Sequence, residues 1–220
     1  MTHKAFWDDP YRTELATRVA TVDGNRVTLR ETIFYAESGG QESDSGSIAG
    51  HAVLQAEKHG HDIVYILADG HGLQPGDAVN VHIDWPRRYR LMRLHFAAEL
   101  TLETIYRDFD GVQKIGAHIG EHKARIDFAL PQPITPHLAA IGAKVQALID
   151  ADSAIVSAFS DAANERRYWE VPGYCRVPCG GTHLQRTGEV GRIALKRKNV
   201  GKGKERVEIT LLDEITTQDA

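Results

Sequence analysis

The chain has 220 residues, of which 42% are hydrophobic and 25% charged, and its formal net charge is -4 at pH 7. This composition excludes a disordered or fibrous protein, and the length allows one large domain or two small ones whose core needs no disulfide. The acidic balance argues against wholesale, non-specific binding of nucleic acid. No apolar run reaches the roughly 18 residues of a membrane span, and the N-terminal stretch lacks the apolar segment of a signal peptide, so the sequence predicts a cytoplasmic protein without a membrane partner.

The first part of the chain, to about residue 84, carries patterns typical of β-strands. One hairpin is predicted at Asp23-Gly24-Asn25, and a second is predicted at His59-Gly60. A turn at Pro75-Gly76 then precedes the alternating residues Val79, Val81 and Ile83. Short strands at such close spacing favour a small barrel or a sandwich.

After Pro86 the period of the apolar residues becomes helical. The first series predicts a helix from Pro86, in its first turn, to about Tyr106, and Thr135-Pro136 predicts the cap and first turn of a second helix. The apolar positions of these two helices are Leu91, Leu94, Ala98, Leu102 and Ile105, and then Leu138, Ile141, Val145 and Leu148. Strands are predicted in "ARIDFAL", "AIVSAF" and "RYWEV", and a basic hairpin around "GKGK". This second part is therefore α+β, and the boundary lies near residues 84 to 88.

Two pairs of residues suggest a metal site. His95 and Glu99 are four residues apart in the first helix and project from the same face. Cys179 and His183 flank a segment with two glycines, which lets the chain fold tightly enough for both side chains to meet one point. Two nitrogens, one sulfur and one carboxylate oxygen form a ligand set that zinc accepts. The spacing alone leaves other interpretations open: His95 as a satisfied core histidine, Glu99 paired with Arg93, and Cys179 as a small buried hydrophobic residue.

A glycine pair lies in a polar segment of the first part. Gly39 and Gly40 are flanked by Ser38 and Gln41, so exposed backbone N–H groups lie beside polar side chains, as a small-molecule or phosphate loop requires. A plain turn between two strands is the simpler interpretation of the same residues.

Positive charge is concentrated in two places. One group precedes His95, and the other occupies the predicted C-terminal hairpin against a single acid, Glu205. The members are Arg87, Arg88, Arg90 and Arg93 in the first group, and Lys196, Arg197, Lys198, Lys202, Lys204 and Arg206 in the second. Each group is either a nucleic-acid surface or a solvated face.

Four segments, in this order, resemble a known family: "TIFYAESGGQESDSG", "GAHIGEHKARIDF", "PCGGTHLQRTGEVG" and "KGKERVEI". They are similar to the editing portion of alanyl-tRNA synthetase and to its free-standing relatives, the alanyl-tRNA editing proteins called AlaX. The similarity extends from about residue 28 to 211. It implies a small β-barrel domain with the Gly-rich motif over residues 1–86, followed by an α+β sandwich editing domain with the metal site over residues 87–220.

The resemblance also implies an activity. A member of this family is a trans-editing hydrolase that deacylates tRNA for alanine when it carries a wrong amino acid, chiefly serine, with glycine as the second candidate. The chain is too short to hold an aminoacylation domain as well, so its substrate would be tRNA charged elsewhere. One Zn²⁺ per chain is implied, and Thr32 is placed where the family senses the serine hydroxyl. The remaining residues implied to bind substrate are Ser38, Gly39, Gly40 and Gln41, and those implied to meet tRNA phosphates are Lys196, Arg197, Lys198, Lys202 and Lys204.

One position departs from the family pattern. The metal site of the family is usually His-x-x-x-His with Cys-x-x-x-His, and Glu99 stands where the second of these histidines is expected. Glu99 is then either a zinc ligand, or, beside three other ligands, a residue that supports one of them by a hydrogen bond or accepts a proton. The attacking water would be positioned by Glu99 or Gln41. The departure leaves two alternatives to the main hypothesis: a catalytically silent tRNA-binding relative, and a hydrolase of another aminoacyl-tRNA or amino-acid ester. The sequence predicts no oligomeric state.

Overall fold

The computed structural model describes residues 2–130, 132–201 and 203–212. It divides into two compact units: Met1–Ser38 with Glu42–Tyr89, and Gly39–Gln41 with Arg90–Ala220. Each contains antiparallel sheet, and the two helices make the chain α+β, which confirms the predicted class. The predicted domain boundary between residues 86 and 87 stays a prediction. Neither helix in the described part of the chain has the length and apolar character needed to cross a membrane.

The first unit is built on a seven-stranded sheet. The strands of this unit are β1 (His3–Lys4), β2 (Glu14–Asp23), β3 (Arg26–Leu29), β4 (Glu31–Thr32), β5 (Gly46–Ile48), β6 (His51–Ala52), β7 (Gln55–His59), β8 (Asp62–Ile66) and β9 (Ala78–Ile83). Of these, β1 and β4 form a separate parallel pair outside the seven-stranded sheet. The sheet order is β6-β5-β9-β2-β3-β8-β7, and all neighbouring strands are antiparallel.

Both hairpins predicted in this unit are present. Gly24 (φ +58°) lies in the β2–β3 turn and Gly60 (φ +61°) in the β7–β8 turn, a left-handed conformation that glycine adopts without a Cβ penalty. The alternation predicted in β9 is also confirmed, because Val79, Val81 and Ile83 are all buried. They join the core of this unit, whose fully buried members include Val27, Ile33, Phe34, Tyr65 and Leu67.

The first helix, α1 (Trp85–Asp108), begins one residue before Pro86 and ends two residues beyond Tyr106. Asp84, which the sequence prediction did not single out, caps it: its Oδ1 accepts a hydrogen bond of 3.1 Å from the N–H of Arg87. From residue 91 to 102 nearly every residue of α1 is buried, so this is an interior helix rather than one with a single apolar stripe.

A buried ion pair anchors the first turn of α1 in the first unit. Arg88 and Asp44 are both fully enclosed, and the Arg88 Nε donates to Asp44 Oδ1 at 2.7 Å. The guanidinium also donates to the carbonyl of Ile33 at 2.6 Å, and Asp44 Oδ2 accepts the N–H of Tyr35 at 2.7 Å. Both oxygens of the carboxylate therefore accept hydrogen bonds inside the unit, which compensates for its burial.

This pair corrects the interpretation of the arginine group that precedes His95. Arg88 is completely buried, and Arg93 is also buried, donating from Nε to the carbonyl of Val190 at 3.0 Å. Arg87 donates to Glu42 at 2.7 Å. These arginines have structural partners because the inward side of α1 accepts a guanidinium only where it is hydrogen-bonded. Because Arg88 and Arg93 are buried, these two arginines belong neither to a solvated face nor to a nucleic-acid surface.

The second unit contains two antiparallel sheets and the second helix. Its elements are β10 (Gln113–Ile119), β11 (Ala124–Ala129), α2 (Leu138–Asp150), β12 (Val156–Asp161), β13 (Arg166–Val171), β14 (Cys175–Pro178), β15 (Ile193–Asn199) and β16 (Lys204–Leu211). The sheet orders are β10-β11-β16-β15 and β12-β13-β14. Strands β11, β12 and β13 confirm the three predicted segments, and β15 with β16 confirms the predicted basic hairpin.

The prediction for α2 was wrong in two details. Thr135 does not cap this helix, because Thr135–His137 forms a separate 3-10 turn and His137 is the N-cap residue. The buried stripe is Ile141, Val145 and Ile149, whereas Leu138 and Leu148 are only half-buried. Side chains four residues apart lie on the same face of a helix, so Ile141, Val145 and Ile149 share the buried face of α2.

Replacing Asp44 tests the buried ion pair. Asp44→Ala would leave the Arg88 guanidinium enclosed without its counter-charge, so we expect the free energy of unfolding to fall by about 3–5 kcal/mol. Urea denaturation followed by circular dichroism measures this change. The control is Lys123→Ala, which removes an exposed pair with Glu208 and should cost about 0–1 kcal/mol. Equal losses in the two variants would contradict the importance of the buried pair.

Candidate metal centre

His95 and Glu99 project from one face of α1, as their spacing predicts. His95 Nε2 lies 3.2 Å from Glu99 Oε1. His95 is 5% exposed, and its other ring nitrogen, Nδ1, is buried without a hydrogen-bond partner among the described residues. The ring is therefore not a satisfied core histidine, because buried polar atoms in folded proteins are nearly always paired.

The segment after β14 brings two further ligands to His95. Cys179 Sγ lies 3.4 Å from His95 Nε2, and the ligand atoms of His95, Cys179 and His183 all lie within 4.8 Å of one another. These three residues form a group that can hold a metal ion. Glu99 is not part of this group, although its carboxylate adjoins His95.

The close approach of the two segments depends on Gly181. A Cβ at this residue would lie 2.2 Å from Cε1 of His95, a distance that no real contact shows. At Gly180 a Cβ would meet nothing within 4 Å. The structure therefore requires a residue without a side chain at Gly181, whereas it gives no steric reason for glycine at Gly180.

The chemistry of the group suits zinc. A tetrahedral zinc ion places a cysteine sulfur and a histidine nitrogen about 3.5 Å apart, which agrees with the observed separation of Cys179 and His95. His183 Nε2 is buried without a hydrogen-bond partner, and a lone pair on that nitrogen would be satisfied by a metal ion. Two imidazoles and a thiolate form a borderline-soft set that zinc accepts.

Burial and neighbouring charges set the protonation of the group. Burial lowers the pKa of His183 to about 3, so this ring is neutral at pH 7 and able to act as a ligand. Burial alone would lower the pKa of His95, but the charge at Cys179 and the hydrogen bonds that the ring donates to Cys179 and Glu99 outweigh it and raise that pKa to about 10. For Glu99, burial is outweighed by the hydrogen bond to His95, and the pKa falls to about 2. Glu99 is thus ionised at pH 7.

The Gly39–Gln41 segment belongs to the second unit and reaches this group through Gln41. Gly40 has φ +88°, and a Cβ there would lie 2.8 Å from the carbonyl oxygen of Ala117. The Gly40 carbonyl accepts the N–H of Ile119 at 2.7 Å, which joins the segment to the end of β10. Gln41 Nε2 then donates to Thr182 Oγ1 at 2.9 Å. The segment does more than turn the chain, because it places an amide beside the residue that precedes His183.

Two buried polar atoms lie close to the position that a side chain of Gly181 would occupy. Gln41 Oε1 and His95 Nδ1 are both buried without hydrogen-bond partners. They lie 2.9 and 2.8 Å from the position that a Cβ of Gly181 would occupy. An acceptor and a ring nitrogen therefore border the same small space, which suits a water molecule or a polar atom of a ligand.

Sequence reasoning missed two residues of this centre. Thr182 could have been identified from the sequence, because it lies within the "CGGTH" motif. Its hydroxyl accepts the hydrogen bond from Gln41. Ser157, in β12, has its Oγ 3.2 Å from Nδ1 of His183. No local pattern links Ser157 to a histidine 26 residues further along the chain.

The other predicted substrate residues lie in the first unit. The Thr32 hydroxyl is fully buried, lies 2.6 Å from the hydroxyl of Tyr65 and accepts the N–H of Phe34 at 3.0 Å. The carbonyl of Ser38 accepts a hydrogen bond of 3.0 Å from the Tyr35 hydroxyl. Their roles in binding substrate stay predictions.

The basic hairpin presents most of its lysines to solvent. Lys196, Lys198 and Lys204 are exposed. Arg197 is different, because its guanidinium forms two hydrogen bonds, of 2.8 and 2.7 Å, with the carboxylate of Glu205. Its charge is therefore locally balanced. Lys202 lies outside the described residues.

The known proteins that this chain resembles include tRNA synthetases and alanyl-tRNA editing proteins. Residues 5–87 match the family model described as tRNA synthetases class II (A), and residues 174–208 match the second additional domain of threonyl and alanyl tRNA synthetases. The alanyl-tRNA editing protein AlaX-M of Pyrococcus horikoshii is 32% identical, over 96% of this chain and 98% of its own. The alanyl-tRNA editing protein AlaX-M of Methanosarcina acetivorans is 32% identical, over 97% of this chain and 100% of its own. An alanine--tRNA ligase of Ignicoccus hospitalis is 34% identical over 94% of this chain, but over 26% of its own.

The two glycines of the metal centre provide a matched test. In Gly181→Ala the new methyl group must displace the His95 ring, so we expect zinc affinity to fall at least about tenfold, by analogy with other changes that misorient a ligand. Gly180→Ala adds a methyl group in open space and should bind zinc as the unmodified protein does. Competition with a chromophoric chelator measures the affinity, and circular dichroism checks that both variants are folded. Full zinc affinity in Gly181→Ala would show that the ring does not need this space.

Proposed function

The chain belongs to the alanyl-tRNA editing protein (AlaX) family, and from this membership we propose that it deacylates mischarged tRNA for alanine in trans. Serine is the amino acid that we expect it to remove, with glycine as the second candidate. The observation that carries the proposal is the His95–Cys179–His183 group, since it gives the family's motif a chemistry suited to ester hydrolysis. We place this reaction in the cytoplasm, where charged tRNA is found.

We propose that one Zn²⁺ per chain is held by three residues, His95, Cys179 and His183. When bound, the ion polarises an ester carbonyl or lowers the pKa of a water molecule. Three protein ligands leave a coordination position free, which is the pattern of catalytic rather than structural zinc sites. The ligand atoms of His95, Cys179 and His183 lie within 4.8 Å of one another, and this proximity supports a site of three protein ligands.

Glu99 then serves as the proton acceptor. Its carboxylate is ionised, adjoins His95 Nε2 and is only partly buried. It would take the proton of the attacking water and return it to the ribose oxygen as the ester bond breaks, the usual sequence of general base and general acid. The unpaired Gln41 Oε1 would accept a hydrogen bond from the same water or from the substrate. These two residues are our catalytic candidates.

Substrate selection is assigned to the Gly-rich segment and to Thr32. A hydrogen bond that serine can form and alanine cannot would make correctly charged tRNA a poor substrate. Ser38, Gly39 and Gly40 would supply backbone contacts beside Gln41. The similarity to the family supports these assignments, as it does the finer architecture that we propose, a small β-barrel domain over residues 1–86 and an α+β sandwich editing domain over residues 87–220.

The exposed lysines of the basic hairpin would contact tRNA phosphates. Lys196 and Lys198 alternate along β15 and so project from the same face of the sheet. With Lys204 they give a local positive surface on an acidic protein, which contributes affinity and salt dependence rather than base recognition. Lys202, which lies outside the described residues, is proposed for the same role from its place in the sequence alone. Arg197, which is held by Glu205, would support the strand more than it would contact phosphate.

The two cysteines provide the first test of the function. We expect the protein to contain one zinc and to release serine from tRNA for alanine, and Cys179→Ala to lose both the zinc and the turnover, because it removes the sulfur ligand. Cys175→Ala is the matched control: Cys175 lies at the other end of β14, outside the ligand group, and its loss should leave both properties unchanged. Metal analysis and release of labelled amino acid from charged tRNA are the measurements.

A panel of aminoacylated tRNAs, assayed side by side, separates the alternatives. Turnover on another aminoacyl-tRNA but not on seryl-tRNA for alanine would replace the proposed substrate. Binding of tRNA without release of any amino acid would identify a silent binding relative. Deacylation by metal-free Cys179→Ala protein would overturn the role of the metal.

Glu99→Gln tests the assignment of this residue. The amide keeps the size of the side chain but cannot take a proton, so we expect the zinc content to be retained and kcat to fall about 10²–10⁴-fold. Single-turnover deacylation together with metal analysis gives both quantities. Loss of zinc from Glu99→Gln would instead make the carboxylate a metal ligand.

A further inference from the structure

The two ring nitrogens of His183 have different surroundings. Nδ1 lies 3.2 Å from Oγ of Ser157, whereas Nε2 is buried and has no hydrogen-bond partner in the part of the chain that the structure describes. His183 itself is 3% exposed. An unpaired nitrogen so deep in the protein is costly, whether it carries a proton or a lone pair.

The contact with Ser157 decides which of these two cases applies. A neutral imidazole carries one N–H and one lone pair, on different nitrogens. If the serine oxygen accepts the proton of Nδ1, the lone pair lies on Nε2, where a metal ion can use it. If the proton were on Nε2, the ring would present an unpaired donor to the ligand group and could not bind a metal through that atom.

Packing fixes the plane of the ring but not the identity of its atoms. Phe96 meets His183 edge to face, with ring centroids 6.3 Å apart and an interplanar angle of 77°, and the His95 ring lies 5.1 Å away. A rotation of 180° about the Cβ–Cγ bond would keep this plane and exchange Nδ1 with a carbon. The hydroxyl of Ser157 distinguishes the two orientations, because a carbon offers it no comparable hydrogen bond.

We propose that Ser157 is a positioning residue that holds His183 in the tautomer and orientation with the lone pair on Nε2, and that it thereby sets the metal affinity of the site. The inference rests on the proposed function in one respect, since it takes the His95–Cys179–His183 group as the metal site. Hydrogen bonds to the outer nitrogen of a ligating histidine generally act in this way. His95 is held differently, through contacts of Nε2 itself with Cys179 and Glu99.

The position of Ser157 allows a clean test. It lies in β12, an edge strand of the β12-β13-β14 sheet, and the residue is exposed to solvent. Valine and threonine have nearly the same shape and both suit a strand, but only threonine carries the hydroxyl. Ser157→Val and Ser157→Thr therefore separate the hydrogen bond from the bulk of the side chain.

We expect Ser157→Val to bind zinc about 10–100-fold more weakly than the unmodified protein, and Ser157→Thr to restore most of that affinity. Chelator competition measures the affinity. Replacement of zinc by Co²⁺ adds a spectroscopic readout, because the visible absorption of Co²⁺ reports the ligand geometry and should change in the valine variant alone. Ser160→Val is the control: Ser160 lies in the same strand, but its hydroxyl donates to the carbonyl of Arg166 at 3.2 Å, so zinc affinity should not change.

Two results would overturn the role of Ser157 while leaving the metal site intact. Zinc affinity and Co²⁺ spectrum unchanged in Ser157→Val would show that the hydroxyl does not act on the metal. Equal weakening in the valine and threonine variants would show that bulk at this position, not the hydrogen bond, is responsible. Failure of the unmodified protein to bind zinc is a different outcome, since it removes the proposed metal centre and with it the inference.

Discussion

The approach of the His95 ring to the backbone at Gly181 is the contact on which the candidate metal centre depends. The helix supplies one imidazole and one carboxylate, and the segment after β14 supplies a thiol and a second imidazole. Neither pair can form the group alone. A single methyl group at Gly181 would occupy the place of the His95 ring, so the residue without a side chain allows the two pairs to meet.

Within the described part of the chain, three buried polar atoms without hydrogen-bond partners belong to this centre. His95 Nδ1, His183 Nε2 and Gln41 Oε1 are all buried without hydrogen-bond partners. A folded protein normally pairs such atoms, and leaving one unpaired costs about 1–3 kcal/mol. Three in one small group are difficult to explain as packing defects. They are what a site looks like when its polar atoms are arranged for a ligand, while the rest of the second unit is stabilised by its sheets and by apolar packing.

The parts of this structure that could be predicted from sequence are those with a local signal. Hairpins at Gly24 and Gly60 follow from turn chemistry, and the pairing of His95 with Glu99 follows from helical spacing. Two other contacts had no such signal: Arg88 meets Asp44 across 44 residues, and Ser157 meets His183 across 26. Only the folded chain brings these partners together. The arginine group was misinterpreted for the same reason, because sequence shows a charge but not the carboxylate or carbonyl that burial provides.

In the proposed site, the carboxylate at position 99 would change the charge and the chemistry of the site rather than simply replace one ligand by another. If Zn²⁺ were bound, His95 would give up its proton, and two neutral imidazoles with one thiolate would leave a net positive charge, which lowers the pKa of a bound water molecule and so favours the hydroxide needed for attack. A fourth, anionic ligand would cancel that charge and close the coordination sphere. Glu99 lies beside His95 and outside the group of three, so in the proposed reaction it would leave that position open and serve as the base. A departure that first suggests a damaged metal site is thus compatible with a working hydrolase, because the residue gained is the one that can move a proton.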